Sequence, residues 1–272
     1  SARAGRGFRA GRGVTDPGAS GGRQIGPHLL GVTVTWRYRF QWVAVRILVQ
    51  TLFRMEVKGL EHWPKAPFQI TANHHSGWDP FLIHAVSPLR PRVTWFGPKE
   101  VDFSKGIRNR VLGFFGGMIP FNPRKTNMPS AVRAVQRVFD ASGVLAITPE
   151  GMLGFRETEL LPLQEGATLF ASLSGVPIVP CAVIGSSTLW FRKRIVVRFG
   201  EPIQVERGAG RAGREALVER VREGMLALLP DVEPTYPRRR PGGDYLSDLF
   251  SGKREAANRR EYMAELERAA AD

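Results

Sequence analysis

Asn73-His74-His75-Ser76-Gly77-Trp78-Asp79-Pro80 is the stretch on which the reading of this chain turns. Ahead of it, Phe68-Gln69-Ile70-Thr71-Ala72 alternates apolar and polar side chains as a strand does. Behind it, Phe81-Leu82-Ile83-His84 reads as a helix. The junction between a strand's end and a helix's start is where α/β proteins place their chemistry. Four residues separate His74 from Asp79. A carboxylate that swings back onto an imidazole fixes its tautomer through one ring nitrogen, and stabilises the imidazolium once the other nitrogen has taken a proton. That is the equipment of a general base. The same residues also admit a plainer reading, with Asp79-Pro80 as a helix N-cap followed by proline and His74 as an ordinary strand-end histidine.

Working outward, strand and helix patterns alternate along most of the chain. Met55 to Lys58 reads as a strand turning at Gly59, and Val93 to Gly97 as another. Ile107 to Phe115 looks helical. Ala131, Val132, Val135, Val138 and Phe139 make the apolar stripe of a helix stopped by Gly143, and Val144 to Ile147 is a buried strand running into Thr148-Pro149-Glu150-Gly151. A helix near Gln164 to Ser174 leads to strands at Ile178–Ile184 and Ile195–Phe199, and Leu217, Val218, Val221, Met225 and Leu228 mark a further helix. This order predicts an α/β fold: a single domain with a largely parallel or mixed central sheet flanked by helices.

Beyond this domain the chain divides by composition. Residues 1–27 repeat Arg among Gly and Ala with almost no large apolar side chains, the composition of a disordered basic tail. They lack the apolar centre of a signal peptide. Residues 28–54 contain a run of aromatic and aliphatic side chains from Trp36 to Phe53, broken by Arg46 and Gln50. It falls short of the roughly 20 apolar residues of a spanning helix, and reads as an amphipathic helix lying in a membrane surface, with a core-packing helix as the alternative. The catalytic domain takes 55–232, and 233–272 reads as a Pro/Gly/Arg linker followed by a charged helix.

The chain carries 39 Lys+Arg against 25 Asp+Glu, a net +14 that calls for an anionic partner without choosing among nucleic acid, membrane surface and phosphorylated substrate. The lone cysteine, Cys181, excludes an internal disulfide and any Cys-rich metal site. Within Pro177 to Ile184 it reads as buried core, in keeping with a reducing, cytoplasmic compartment.

Four blocks, in order, resemble the glycerolipid acyltransferases of the lysophosphatidic acid acyltransferase type. They are Asn73 to Asp79, Gly117-Met118-Ile119-Pro120-Phe121-Asn122-Pro123-Arg124, Pro149-Glu150-Gly151 and Val176-Pro177-Ile178-Val179-Pro180, supported by Lys99-Glu100 and by Phe199 to Ile203. The resemblance implies the HX4D acyltransferase fold over about residues 36–230, with His74 as general base and Asp79 as its partner. It further implies that Arg124 binds the acceptor phosphate and that Glu150 and Gly151 shape the acceptor site. The implied reaction moves a fatty acyl group from acyl-CoA or acyl-carrier protein, as co-substrate, to a lysophospholipid, giving phosphatidic acid. No bound cofactor and no metal are expected, and the place of work is the cytoplasmic face of the membrane, as a peripheral or monotopic protein on an anionic surface. Two departures stand out. Met152-Leu153-Gly154-Phe155 intervenes before Arg156 where the family has a small hydroxyl residue and an arginine, and the second block is one residue longer than usual. Arg156 or Lys99 is the expected compensation.

Other readings are weaker. Nothing resembles a nucleic-acid-binding motif, and the excess charge is spread along the chain. A serine hydrolase would need a Gly-x-Ser-x-Gly elbow, which is missing. A metal site from His74, His75 and Asp79 runs against the opposite faces that adjacent residues of an extended chain present.

Overall fold

The computed structural model describes residues 34–97, 117–119, 121, 128–164, 166–234, 236–237, 239–250 and 253–269. The basic tail, the helix expected at 107–115, Lys99 and Arg124 lie outside the described residues. Strand β2 (Phe68–Ala72) is buried at every position and runs through the middle of one sheet. With it are β1 (Arg54–Lys58), β3 (Val93–Phe96), β4 (Met118–Ile119), β5 (Val144–Ile147), β6 (Ile178–Ile184) and β7 (Arg194–Phe199), in the order β1-β7-β6-β2-β5-β3-β4. Every pair is parallel except β6 with β7. The sheet is therefore mixed, and helices cover both faces.

The two-residue period of the strands sorts their side chains into two cores. Phe68, Ile70 and Ala72 of β2 join Val179, Cys181 and Val183 of β6 on one face. That face is covered by α1 (Trp36–Leu52), by α2 (Asp79–Val86) through Leu82 and Ile83, and by Leu246 of α6 (Gly243–Asp248). On the other face Leu145, Ile147, Ile178 and Ala182 meet α3 (Met128–Asp140), α4 (Gly166–Ser174) and α5 (Arg211–Leu226) through Val135, Val138, Phe170, Val221 and Met225. The stripe read from Ala131 to Phe139 is the buried face of α3. The left-handed residue beyond its end is Ser142, with φ 54°, and Gly143 then closes the helix by donating to Val138 O at 2.8 Å.

Two segments differ from their sequence reading. In α1, the residues expected to insert into lipid divide between two faces. Trp36, Phe40, Ile47 and Leu48 are exposed, but Phe53 is buried in the core and Leu52 packs against it. Trp42 is partly buried, with Nε1 donating to Ser87 O at 3.0 Å, and Arg46 donates to Ala85 O at 3.3 Å. The helix thus belongs to the fold and still keeps an outward apolar stripe; helical periodicity allows both where composition alone does not. At the other end of the chain the expected charged helix is present as α7 (Lys253–Ala269), but α6 lies within the expected linker, and both are packed on the fold. Leu246, Ala256 and Met263 are buried, and Arg259 Nη2 reaches Asp248 at 2.8 Å.

Candidate active site

β2 delivers its C-terminal end next to that of β5. The chain then leaves β2 through α2 toward β3 and leaves β5 through α4 toward β6, in opposite directions across the sheet. Such a divergence opens a crevice at the strand ends. The backbone pairing of β2 with β6 runs to Ala72–Cys181, and the side chain of Asn73 continues it. Asn73 Oδ1 accepts from Val183 N–H at 2.7 Å and Nδ2 donates to Val183 O at 3.0 Å. An amide side chain here mimics one more peptide of the ladder, so the chain can leave the sheet without orphaning Val183's buried groups.

The turn that follows is built around one carboxylate oxygen. Asp79 Oδ2 receives the backbone N–H groups of His75 and Ser76, each at 2.8 Å, and lies 3.0 Å from His74 Nδ1. The helix cap is Trp78, so Asp79 is the first residue of α2, with Pro80 next. Asp79 is completely buried, and Oδ1 has no hydrogen-bond partner among the described residues. Asp79 is thus not the N-cap that its pairing with Pro80 suggested, and the oxygen that closes the turn before the helix is also the one that faces the imidazole. With the imidazole proton on Nδ1, His74 Nε2 is left as the acceptor, on a side chain still 23% exposed.

The backbone of His74 is gripped from the loop after β5. Glu150 Oε1 accepts from His74 N–H at 2.7 Å and Oε2 from Leu161 N–H at 2.9 Å, while Gly154 N–H donates to His74 O at 2.8 Å. Burial pushes the Glu150 carboxyl up, opposed by those two amide hydrogen bonds. Both carboxylate oxygens thus serve the protein's own backbone. Gly151 takes the left-handed conformation, φ 72°, that the sharp exit from Glu150 requires, and is exposed.

The two histidines diverge. His75 is buried with Nδ1 3.3 Å from Glu157 Oε2, and the Asn73 amide nitrogen lies 3.2 Å from the same ring atom. A proton on Nδ1 satisfies only the carboxylate, the stronger acceptor, and the Asn73 amide has Val183 O instead. Burial opposes charge on His75, but Glu157, with Asp79 and Glu150 beyond, outweighs it and raises the imidazole. Glu157 is held low against its own burial by His75, Lys193 and Ser187. Lys193 is pulled down to about 8 by burial, against the pull of Glu157. Nothing in the sequence pattern marks Glu157 or Lys193, because their partners are remote in the chain.

Arg156 is exposed and pairs with Glu159 at 3.2 Å. An exposed pair of this kind contributes about 0–1 kcal/mol, so the guanidinium is readily redirected. Cys181 is fully buried, and burial raises its thiol well above the usual range. Gly77 has no room for a side chain, because a Cβ there would lie 2.2 Å from Phe250 O. Among the described residues no cluster of three His, Cys, Asp or Glu side chains could hold a metal ion. No helix among them is long and apolar enough to cross a membrane.

Comparison with known proteins adds to this geometry. The family model described as Acyltransferase matches residues 54–184, from β1 to the end of β6. A 1-acyl-sn-glycerol-3-phosphate acyltransferase of Bacillus subtilis is 25% identical over 171 residues, covering 61% of this chain and 82% of its own. Its namesake in Saccharomyces cerevisiae is 26% identical, covering 71% of this chain and 67% of its own. The crystal structure of the 1-acyl-sn-glycerophosphate acyltransferase PlsC from Thermotoga maritima superposes with a TM-score of 0.52 at 16% identity, over 70% of this chain and 81% of that one, a likeness of fold.

Proposed function

Because the chain belongs to the glycerolipid acyltransferases of the lysophosphatidic acid acyltransferase type, we propose that it transfers a fatty acyl group from a thioester to the free hydroxyl of 1-acylglycerol-3-phosphate, giving phosphatidic acid. The observation that carries this reading is the His74 Nδ1 to Asp79 Oδ2 contact of 3.0 Å, at a strand end, with Nε2 free to accept. In this reading Nε2 takes the acceptor's hydroxyl proton as the oxygen attacks the thioester carbonyl. The new C–O bond forms, the C–S bond breaks, and the proton passes from the imidazolium to the departing sulfur. Asp79 stabilises the imidazolium between the two transfers, and the backbone grips of Glu150 and Gly154 keep His74 in place. Transfer is direct, because Cys181 is buried.

Arg124, Lys99 and Arg156 are the cations assigned to the acceptor phosphate, a charge that a forked guanidinium suits. The donor is acyl-CoA or acyl-carrier protein. The outward stripe of α1 rests on the cytoplasmic membrane surface, where lysolipid and product reside. Incubating purified protein with labelled acyl-CoA or acyl-carrier protein and a panel of lysolipids, with His74→Ala as control, tests the reading. Product only with a lysolipid other than lysophosphatidate would move the proposal to another acceptor, consistent with the altered third block; no product with any would end it.

A further inference from the structure

Behind the His74–Asp79 dyad lies a second ionisable pair, cut off from water. A buried ion pair is a poor source of stability, since desolvation offsets the attraction. This one is nonetheless elaborately held. Glu157 accepts from Gly185 N–H at 2.8 Å, from Ser187 N–H at 3.0 Å and from Ser187 Oγ at 2.6 Å, and Ser187 Oγ lies 3.1 Å from the Tyr236 hydroxyl. The charges around it are Asp79 and Glu150 on the His75 side and Lys193, with Arg240 beyond, on the Glu157 side. Lys193 donates to Thr188 O at 2.6 Å and sits 4.3 Å over the Trp190 ring.

Three connections join this pair to the dyad. His75 follows His74 in the chain, and its own N–H orients Asp79 Oδ2 from 2.8 Å. Glu157 sits on the loop that holds both backbone groups of His74, through Glu150 and Gly154. Gly154 also lies against the His75 ring, where a Cβ would stand 3.2 Å from Cδ2. The loop therefore holds His74 by its backbone and His75 by its side chain.

We propose that His75 is a positioning residue for acyl transfer: clamped by Glu157, it fixes the amide that orients Asp79 and so couples the 150–161 loop to proton uptake by His74. The proposal rests on the reading of His74 as the base. Its test pairs kinetics with NMR of 15N-histidine-labelled full chain, native and as His75→Gln, Glu157→Gln and the double variant. Each single variant unbalances the pair and lowers stability, whereas the double variant removes its two opposite charges together and, with only Lys193 left to shed its proton, is expected to melt above Glu157→Gln alone. It should nonetheless lose about 10–100-fold in kcat with little change in donor KM, as misplaced catalytic groups do. The His74 ring 15N resonances should also move, since its contact with Asp79 is displaced. Native kcat together with unmoved His74 ring resonances in the double variant would overturn the proposal. If that variant does not fold, the native protein decides, because a His75 ring that titrates as a free histidine is not clamped. The His74 spectrum needs no substrate, so failure to acylate any lysolipid counts against the proposed reaction and leaves this coupling to be judged by NMR.

Discussion

The indole Nε1 of Trp78 donates to the carbonyl oxygen of Leu246 at 2.7 Å, so the residue before Asp79 is anchored by a segment 168 positions away. Phe250 completes the contact, its ring 4.7 Å from that of Trp78 and its carbonyl against Gly77. Gly77→Ala should force this segment off, and Trp78→Phe should leave the Leu246 carbonyl unpaired, at about 1–3 kcal/mol. Urea unfolding should register the loss, and limited proteolysis should cut the C-terminal helices first. Native protease resistance in both variants would mean that the segment is held elsewhere.

His74→Ala should lower acyl transfer by on the order of 10²–10⁴ while leaving the protein folded, since Asp79 Oδ2 keeps its two backbone donors. Asp79→Asn is the sharper variant. An asparagine with its oxygen in place of Oδ2 keeps all three hydrogen bonds and puts an amide where Oδ1 now has no partner. The turn survives and the charge does not, so rate should fall far more than stability. A stable, active Asp79→Asn protein would leave Asp79 only its role in closing the turn.

Stability should depend on pH through the His75–Glu157 pair. Glu157 is depressed below its usual 4.5, so its contribution is present above that value and drains away as pH falls through its lowered folded value. His75 is raised above 6.5, so its contribution is complete below 6.5 and is lost as pH rises through its folded value. Lys193, depressed from 10.5 to about 8, is costly while charged, and that cost is relieved between those values, partly offsetting the alkaline loss. Denaturation midpoints should peak between about pH 4.5 and 6.5 and flatten in the His75→Gln/Glu157→Gln double variant. An unchanged pH profile in that variant would exclude the pair as its source.

The outward stripe of α1 makes a separable prediction. Replacing Trp36, Phe40 and Ile47 with serine touches no core residue, so the fold should hold. Liposome affinity should fall about 100-fold or more, given the apolar area withdrawn. Native binding should strengthen with anionic lipid and weaken without vanishing in high salt, because the apolar part is unscreened. Deleting the helix is the wrong experiment, since Tyr38, Val49 and the adjoining Phe53 are core.

Cys181→Ala should retain acyl transfer with unchanged pH dependence, because the thiol is buried and its ionisation disfavoured. Mass spectrometry of protein quenched during turnover should find no acylated residue. A trapped acyl-enzyme would replace direct transfer with a two-step route.

Much of this molecule is local in its causes, and that part was legible in the chain. Alternation in Phe68 to Ala72, the stripe from Ala131 to Phe139 and the apolar run of Ile178 to Ile184 each specify an element through the period of its own residues. The spacing of His74 from Asp79 needs only one turn to bring them together. What the tertiary structure decided is long-range. That Asp79 closes the turn from the first helical position instead of capping the helix was undecidable from spacing, because it depends on which donors one oxygen receives. Glu150 turned out to hold His74's backbone, and His75 found Glu157, because the loop after β5 lies beside the end of β2 only once the sheet has formed. The two faces of α1 and the docking of α6 likewise depend on which surfaces the finished sheet leaves uncovered. Local sequence sets the period of an element, whereas contacts between residues far apart in the chain exist only after the elements have packed.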